Sequence, residues 1–534
     1  MLSTVTEIPG RSRVSSLTTV LGRSQRALLS LEQRWPYLLA FFSAIFLVIT
    51  VLQDLTRPLW NDELFTFYIS RQNSLGDVWK ALLTGAEQLP LFFFALVRFS
   101  TRLFGTNPLG LRLPETVGFL LMNISIFLFV RKRIPASYGL LGFMFPSVTQ
   151  AYYFAYEARP YGLVMGFAGL AMLSWQNAVE GRRRPLWLAV LAFSLACAVN
   201  CHYYAVLLLF PFGLAEVVRF CETRRFDRGT SLAIGASLLP LGFSLPVIRA
   251  ASHYSSHFWA RPSWRLVISF YEDLLLPSGF ALLLIGVIAG LVVYRLKDEG
   301  HGRSWNSRFP RHEFALAIGF ILLPSVAICL AKFVTGAFTP RYAIYAVIGL
   351  SILLSWSFAR IGRGNSALGL ILAGTLACCW LIIGVRQYQQ FRWNAVLEDQ
   401  TFEYLASKGG DLPLVILSPH QFFVQSHRAD AKGRGHLIYL ADVPLALKYT
   451  GTDTVERGLL TLRNYAPLAV KDYHQFIATH QSFLAYGYPD PFGWVLEDLM
   501  ESGWRVSIKG RHDTSLLYLL QPPAYSGGAA GSTR

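Results

Sequence analysis

The chain has 534 residues, of which 53% are hydrophobic and 15% are charged, and its mean hydropathy is +0.39. Soluble globular domains carry about 25% charged residues, so the composition argues against one and predicts an α-helical polytopic membrane protein. The net charge of +16 does not indicate nucleic-acid binding, because much of the lysine and arginine lies in short clusters between apolar runs, as the positive-inside rule describes.

The amino-terminal residues 1–36 are rich in Ser, Thr and Arg and are predicted to form a cytosolic basic tail. The first apolar span is predicted at Pro36–Gln53, and the arginines before it assign the amino terminus to the cytosol. The loop that follows, Asp54–Arg112, is therefore predicted to be extracytoplasmic.

The apolar segment Leu89–Phe104 is predicted to lie in the membrane interface rather than to cross the membrane. It is short for a crossing and carries Arg98 and Arg102. A crossing here would place Arg131–Arg133 and the later basic clusters outside, whereas an interfacial helix keeps them in the cytosol.

Further spans bring the predicted total to about eleven. They lie at Leu113–Val130, Ala136–Phe154, Tyr161–Ala178, Leu186–Asn200, Tyr203–Phe220, Ser231–Ile248, Ser278–Tyr294, Phe314–Ala331, Tyr342–Phe358 and Ser366–Gly384. An odd number of spans places the carboxyl-terminal part of the chain outside.

The composition becomes polar from Val385 onward, which predicts a small extracytoplasmic α/β domain over residues 385–526. Short β-rich runs occur at Leu414–Leu417, His436–Leu440, Ser482–Tyr486 and Ser515–Leu519, and a helical pattern occurs at Trp494–Met500. The tail 527–534 is predicted to be disordered.

The most informative polar stretch is the first outer loop, which carries Asp62, Glu63, Glu87 and Gln88. Carboxylates at a membrane boundary are costly unless they are solvated or functional. The non-functional alternative for Asp62 and Glu63 is a solvated loop pair, or a pair of charges that stabilises the amino terminus of a helix.

The predicted topology brings further polar and aromatic residues to the same outer face. These are Trp60, Glu157, Arg159, His202, His253, His257, Trp259, Trp264, Lys332 and Arg341. Carboxylates suit proton abstraction from an acceptor hydroxyl, cationic side chains suit a lipid-borne phosphate, and aromatic rings suit sugar faces. Glu87 with His257 is a candidate pair for a divalent metal ion. Snorkelling arginines and hydrogen-bonded interfacial histidines are the alternatives.

Five short motifs recur in a characteristic order over roughly residues 37–360: Asp62-Glu63, Pro90-Leu91, Ala158–Tyr161, His202–Tyr204 and Pro340–Tyr342. In this the chain resembles the GT-C superfamily of membrane glycosyltransferases. The most similar branch contains bacterial family 39-type enzymes, related to protein O-mannosyltransferases and the aminoarabinose transferase of lipid A.

The resemblance implies a GT-C-like catalytic domain over residues 37–384, with Asp62 as catalytic base and Glu63 as its partner. It implies Arg159 and Arg341, with Lys332 nearby, as contacts of the donor phosphate. Relatives carry a His before Pro-Pro-Leu where this chain has Gln88, so the need for a metal ion stays open.

The resulting hypothesis is a transferase of a hexosyl or pentosyl group from a polyprenyl-phosphate-linked sugar. The acceptor is a lipid, glycan or protein on the extracytoplasmic face, and substrate contacts are expected from Glu87, Gln88, Glu157, His202 and Trp60. The predicted location is the bacterial inner (plasma) membrane. The alternatives are a flippase or transporter of a lipid-linked substrate and a non-catalytic membrane scaffold.

Overall fold

The computed structural model describes residues 32–523 apart from 182, 253, 255–256, 299–308, 409, 411, 432–436 and 489. Predictions about residues 1–31, His253 and the tail 527–534 lie outside the described residues. Helices make up the described chain as far as Lys408, and a domain with a six-stranded sheet follows.

The helices before the sheet domain run in chain order with short connections. They are α1 (Trp35–Thr56), α2 (Asn61–Ser70), α3 (Leu75–Leu83), α4 (Leu91–Phe104), α5 (Pro108–Arg131), α6 (Ala136–Met144), α7 (Tyr161–Glu180), α8 (Arg184–Cys201), α9 (Leu209–Thr223), α10 (Arg228–Ala236), α11 (Leu241–Ser252), α12 (Arg265–Leu275), α13 (Gly279–Asp298), α14 (Arg311–Ile321), α15 (Leu323–Leu330), α16 (Ala346–Ile361) and α17 (Ser366–Lys408).

The prediction of a polytopic helical membrane protein is confirmed, although the count of eleven spans is not. Over the described ranges, seven helices are long and apolar enough to cross a membrane, or nine if each bent pair is one span. The bent pairs are α10 with α11, at 43°, and α14 with the segment Leu323–Thr335, at 52°. Two shorter apolar helices, Ala136–Val148 and Ala346–Ile361, occupy the positions of the two remaining predicted spans.

Helix α4 has 14 residues, whereas a crossing needs about 20. Its Arg98 donates hydrogen bonds to the backbone oxygens of Ser70, Gln72 and Asn73, just where α2 ends. The guanidinium therefore fixes α4 against the outer loop by satisfying carbonyls at a helix terminus. Its placement in the membrane interface stays a prediction.

Glycines let α5 and α7 pack at very short distance. A Cβ atom added at Gly166 would lie 2.4 Å from the carbonyl oxygen of Gly118, and one added at Gly118 would lie 2.6 Å from that of Gly162. Small residues permit such close helix contacts in membranes. The packing brings the start of α5 next to the turn that precedes α7, where much of the polar constellation lies.

The basic clusters gather at the opposite ends of the same helices. Arg133 pairs with Glu180 at 2.9 Å and with Glu313 at 2.5 Å, and Lys132 pairs with Glu180 at 2.8 Å. These contacts join the ends of α5 and α7 to the start of α14. The predicted cytosolic clusters and the predicted outer-face motifs therefore lie at opposite ends of the helical layer.

The carboxyl-terminal domain is an α/β structure, as predicted. Its elements are β1 (Leu414–Ile416), α18 (Pro419–Ala431), β2 (Leu437–Ala441), α19 (Val443–Thr450), α20 (Thr454–Leu462), β3 (Val470–Asp472), α21 (Tyr473–Thr479), β4 (Phe483–Gly487), α22 (Val495–Glu501), β5 (Arg505–His512) and β6 (Ser515–Gln521). The strand order is β3-β2-β1-β4-β6-β5. Strands β1 to β4 are parallel, and β6 is antiparallel to both β4 and β5.

The predicted domain boundary at Val385 falls inside a continuous helix. Helix α17 runs for 43 residues, and its second half reaches the sheet domain. There Glu398 pairs with Arg428 at 2.6 Å, and Tyr404 stacks on His512 at 4.7 Å between ring centroids. The change of composition therefore marks where this helix leaves the apolar layer.

Candidate active site

A cavity of about 1080 Å³ lies where the outer loop, the ends of the helices and the carboxyl-terminal domain meet. Eight of the residues predicted to lie at the outer face line it. They are Trp60, Asp62, Glu87, Gln88, Arg159, His202, Trp259 and Arg341. Residues far apart in sequence thus line one cavity, which their common predicted face allows but does not require.

Asp62, in the first turn of α2, faces Arg341 across the cavity wall. The Nη1 group of Arg341 donates a hydrogen bond to Oδ2 of Asp62, and about a fifth of each side chain is exposed. Burial alone would raise the pKa of Asp62, but Arg341 and Arg159 outweigh burial and hold the pKa below its usual value. Asp62 is therefore an ionised carboxylate that is accessible from the cavity.

A second ion pair joins Arg159 and Glu87 on the same wall. The Nη1 group of Arg159 donates a hydrogen bond of 2.7 Å to Oε2 of Glu87, and Oε1 of Glu87 accepts one of 2.8 Å from the backbone N–H of Gln88. Among the described residues, the Nε groups of Arg159 and Arg341 are both buried without a hydrogen-bond partner. Each arginine therefore keeps an unsatisfied donor at the site.

His202 lies in an aromatic cluster beside the two arginines. Its ring centroid is 5.3 Å from that of Tyr161 and 5.1 Å from that of Tyr342, and its Nδ1 accepts a hydrogen bond from the backbone N–H of Tyr204 at 3.2 Å. Burial, helped by Arg159 and Arg341, lowers the pKa of His202 to about 3. The ring is therefore neutral and adds no charge to the cavity.

Glu63 is placed differently from the expectation that it orients a substrate. Its side chain is fully buried, and its two oxygens accept hydrogen bonds of 2.7 Å each from the Nε and Nη2 groups of Arg112. It also accepts hydrogen bonds from the backbone N–H groups of Trp60, at 3.2 Å, and Ala158, at 2.8 Å. Because these donors occupy the carboxylate, Glu63 does not line the cavity, and its contacts hold α2, α5 and the turn before α7 together.

Glu157 also lies behind the cavity wall rather than on it. Its Oε1 accepts a hydrogen bond of 2.9 Å from the indole Nε1 of Trp60, whereas Oε2 is buried without a partner among the described residues. Burial raises the pKa of Glu157 to about 7. The predicted substrate contact of Glu157 is therefore replaced by a role in holding Trp60, which does line the cavity.

Two further predicted site residues, besides Glu63 and Glu157, lie outside the cavity lining. Lys332 is exposed, with its Nζ atom 5.8 Å from the ring centroid of Trp264. His257 lies 4.0 Å from Asp453 and is not among the residues that line the cavity. The metal site suggested for Glu87 and His257 stays a prediction, and within the described part of the chain no group of three or more His, Cys, Asp or Glu could hold a metal ion.

The carboxyl-terminal domain contributes lining residues that the sequence did not indicate. They are His420, Thr454, Val455, Gly458, Leu459 and Phe492. Their convergence depends on how this domain docks on the helices, and no local pattern encodes that docking.

Residues 88–248 match the family model described as dolichyl-phosphate-mannose-protein mannosyltransferase. No curated protein sequence matches the chain. The structure is similar to the crystal structure of ArnT from Cupriavidus metallidurans in the apo state, with 13% identity, a TM-score of 0.56, and coverage of 91% of this chain and 98% of that chain. It is also similar to the same enzyme bound to undecaprenyl phosphate, with 13% identity, a TM-score of 0.55, and coverage of 90% and 97%. These likenesses confirm the GT-C-like fold expected from the sequence motifs.

Proposed function

We propose that the chain is a glycosyltransferase that transfers a sugar from a polyprenyl-phosphate-linked donor to an acceptor on the extracytoplasmic face of the membrane. The observation that carries the proposal is the pairing of two arginines with carboxylates on the wall of one cavity at the outer end of the helices. The family-model match and the ArnT-like fold support the same reaction class. One similar structure holds undecaprenyl phosphate, which supports a donor of this kind.

Arg159 and Arg341 are the groups that would hold the donor phosphate. Planar guanidinium groups bind phosphate through paired N–H donors, and both arginines retain a buried Nε donor without a partner in the described structure. The same cavity has apolar lining residues, among them Ile248, Phe270 and Leu274 from α11 and α12. Such a surface suits the start of a polyprenyl chain.

Transfer forms a bond between the acceptor oxygen and the anomeric carbon of the sugar. The bond between that carbon and the phosphate oxygen breaks, and its electron pair stays on the polyprenyl phosphate. Asp62 takes the proton of the acceptor hydroxyl, and Arg341 stabilises the charge of the leaving phosphate. A phosphate that attracts Arg341 also loosens its hold on Asp62, which makes Asp62 a stronger base when donor is bound.

The acceptor is a lipid, glycan or protein, and the proposed location is the bacterial inner membrane with the cavity facing outward. This orientation follows from the basic residues at the opposite ends of the helices. The carboxyl-terminal domain would then be extracytoplasmic, because it lines the same cavity.

The test is retention of donor lipid by the purified protein in nanodiscs. Mass spectrometry of the wild-type protein should find a prenyl-phosphate sugar, and the mass of the sugar distinguishes a hexosyl from a pentosyl donor. Arg341→Ala should reduce retention at least tenfold, because a charge-assisted contact to phosphate is lost. Lys332→Ala is the matched control, since it removes a cation outside the cavity and should leave retention unchanged. Wild-type protein that retains no donor from a panel of prenyl-phosphate sugars would refute the proposal.

A further inference from the structure

We propose that His420, presented by the carboxyl-terminal domain and held by Asp490, binds the acceptor in the cavity, and that the part of the acceptor entering there is an uncharged, hydroxyl-bearing group. The inference rests on the proposed function and adds to it the acceptor class and the residue that recognises it. Three features of the structure support the role of His420, and the charge of the lining supports the acceptor class.

The first feature is the packing of α18 along α2. The rings of Phe65 and Phe423 lie 5.1 Å apart, and the hydroxyl of Tyr68 lies 3.1 Å from Nδ1 of His427. The two helices run in the same direction, because the later residue of one contacts the later residue of the other. One turn before Phe65 is Asp62 and one turn before Phe423 is His420, so the packing brings both residues to the same end of the helix pair.

The second feature is the topology of the sheet. Strand β1 leads through α18 to β2 on one side, whereas β4 pairs with the other side of β1. The strand order therefore reverses between β1 and β4, and ligands of such sheets bind outside the carboxyl ends of the strands at this switch point. His420 follows β1, and Asp490 and Phe492 follow β4. The crevice at the switch point opens into the cavity, which His420 and Phe492 both line.

The third feature is the support of the imidazole. Asp490 is 2% exposed and lies 3.7 Å from Nδ1 of His420, which is itself 37% exposed. The hydroxyl of Ser418 and the backbone N–H of Phe492, at 2.9 Å, donate hydrogen bonds to the same carboxylate. A carboxylate held in this way orients the imidazole with Nδ1 toward itself. Nε2 is then the ring nitrogen available to a substrate hydroxyl.

The charge of the lining selects the class of acceptor. Once Arg159 and Arg341 hold the donor phosphate, the lining within the described residues offers no other lysine or arginine. Its remaining charged groups include the carboxylates Asp62, Glu87 and Asp273, which repel an anionic acceptor. A neutral glycan hydroxyl or a hydroxyl amino acid fits this lining, and a phosphorylated sugar does not.

The experiment distinguishes acceptor binding from donor binding by comparing transfer of a labelled sugar to an acceptor with its transfer to water, both from the same donor lipid. Purified full-length protein in nanodiscs is given undecaprenyl phosphate carrying a labelled hexose or pentose. Transfer to neutral octyl glycosides, transfer to the corresponding 6-phosphates, and slow transfer to water are measured, together with donor retention. The variants are His420→Ala, His420→Gln and Asp490→Asn. The control is His474→Ala, which removes an exposed histidine that lies 3.4 Å from Asp442 in the same domain but outside the cavity lining.

His420→Ala should lower transfer to the neutral glycosides about tenfold, with donor retention and transfer to water within about twofold of wild type. His420→Gln, which keeps hydrogen-bonding atoms, should recover part of the loss, and Asp490→Asn should show an intermediate loss. Equal losses of glycoside and water transfer in His420→Ala would overturn the inference and indicate a structural role. Unchanged glycoside transfer in that variant would also overturn it, as would wild-type protein that uses the 6-phosphates as well as the neutral glycosides or uses neither. Wild-type protein that neither retains nor cleaves any donor would instead refute the proposed function itself.

Discussion

Replacing Glu63 by Gln should destabilise the protein by about 3–5 kcal/mol, the usual cost of removing one partner of a buried ion pair, whereas Asp62→Asn should leave the fold intact. The structure gives the reason for this contrast between neighbours. Glu63 is fully buried and accepts two hydrogen bonds of 2.7 Å from Arg112, so its neutral replacement leaves a guanidinium buried without its counter-ion. Asp62 is 20% exposed, so water in the cavity can solvate Arg341 after the charge is removed.

The assay is thermal unfolding in nanodiscs, followed by tryptophan fluorescence, alongside sugar transfer. Glu63→Gln should lower the unfolding temperature and the yield of folded protein. Asp62→Asn should unfold within a few degrees of wild type but lose about 10²–10⁴-fold in transfer, as expected for a missing general base. A Glu63→Gln protein as stable as wild type would refute the structural role of Glu63, and Asp62→Asn with wild-type transfer would refute Asp62 as the base.

Three further outcomes are expected. Burial raises the pKa of Glu157 from 4.5 to about 7, so between these pH values the folded protein holds a proton that the unfolded chain releases. The free energy of unfolding should therefore fall by roughly 3 kcal/mol as the pH rises from about 4.5 to 7. Glu157→Gln should make the unfolding temperature less dependent on pH in this range, and an unchanged dependence would contradict the prediction. Gly166→Ala should destabilise the protein by about 1–3 kcal/mol, because the new Cβ atom would lie 2.4 Å from the carbonyl oxygen of Gly118. Gly290→Ala is the control and should not lower the unfolding temperature, because no atom lies within 4 Å of its new Cβ. Arg341→Lys keeps the charge but loses the paired donors, so donor retention should fall by about threefold, which is less than the loss in Arg341→Ala. Wild-type retention in the lysine variant would contradict this prediction, because it would show that charge alone suffices.

The helical layer and its polar end could be predicted because a membrane restricts the chain so strongly. A crossing helix begins and ends on opposite faces, so once Arg133 is placed at one end, Arg159 and Arg341 must lie at the other. Convergence on one cavity then requires only that the helices pack side by side. The eight predicted residues that line the cavity share this common face.

The direction of individual side chains could not be predicted in the same way. Asp62 and Glu63 are adjacent, but consecutive helical residues point about 100° apart, so one reaches the cavity and the other is buried against Arg112. Glu157 and Arg159, in the non-helical turn before α7, also differ, because Arg159 lines the cavity and Glu157 does not. Lys332 and His257 have the expected chemistry but do not line the cavity.

The carboxyl-terminal domain shows a second limit. Strands β1, β2, β4 and β6 were visible as β-rich runs, whereas two of the three residues of β3, Lys471 and Asp472, are charged and exposed, and β5 is a largely exposed edge strand. His420 carried no local signal, because its position depends on the ring contacts between α18 and α2. Tertiary docking of this kind is absent from any pattern along the chain.

The continuous helix α17 makes the active site sensitive to length as well as to composition. Its 43 residues span about 65 Å, roughly twice the thickness of the hydrocarbon core, so the outer half acts as a rigid arm that carries the sheet domain. Removing one residue from that arm would turn the domain by about 100° and draw it about 1.5 Å toward the membrane. Removing seven would nearly restore its rotation while lowering it by about 10 Å. A chimera that exchanges this domain between related chains therefore needs an outer helix of matching length, so that the domain keeps its rotation about the helix axis. Matching the surface residues alone is not sufficient.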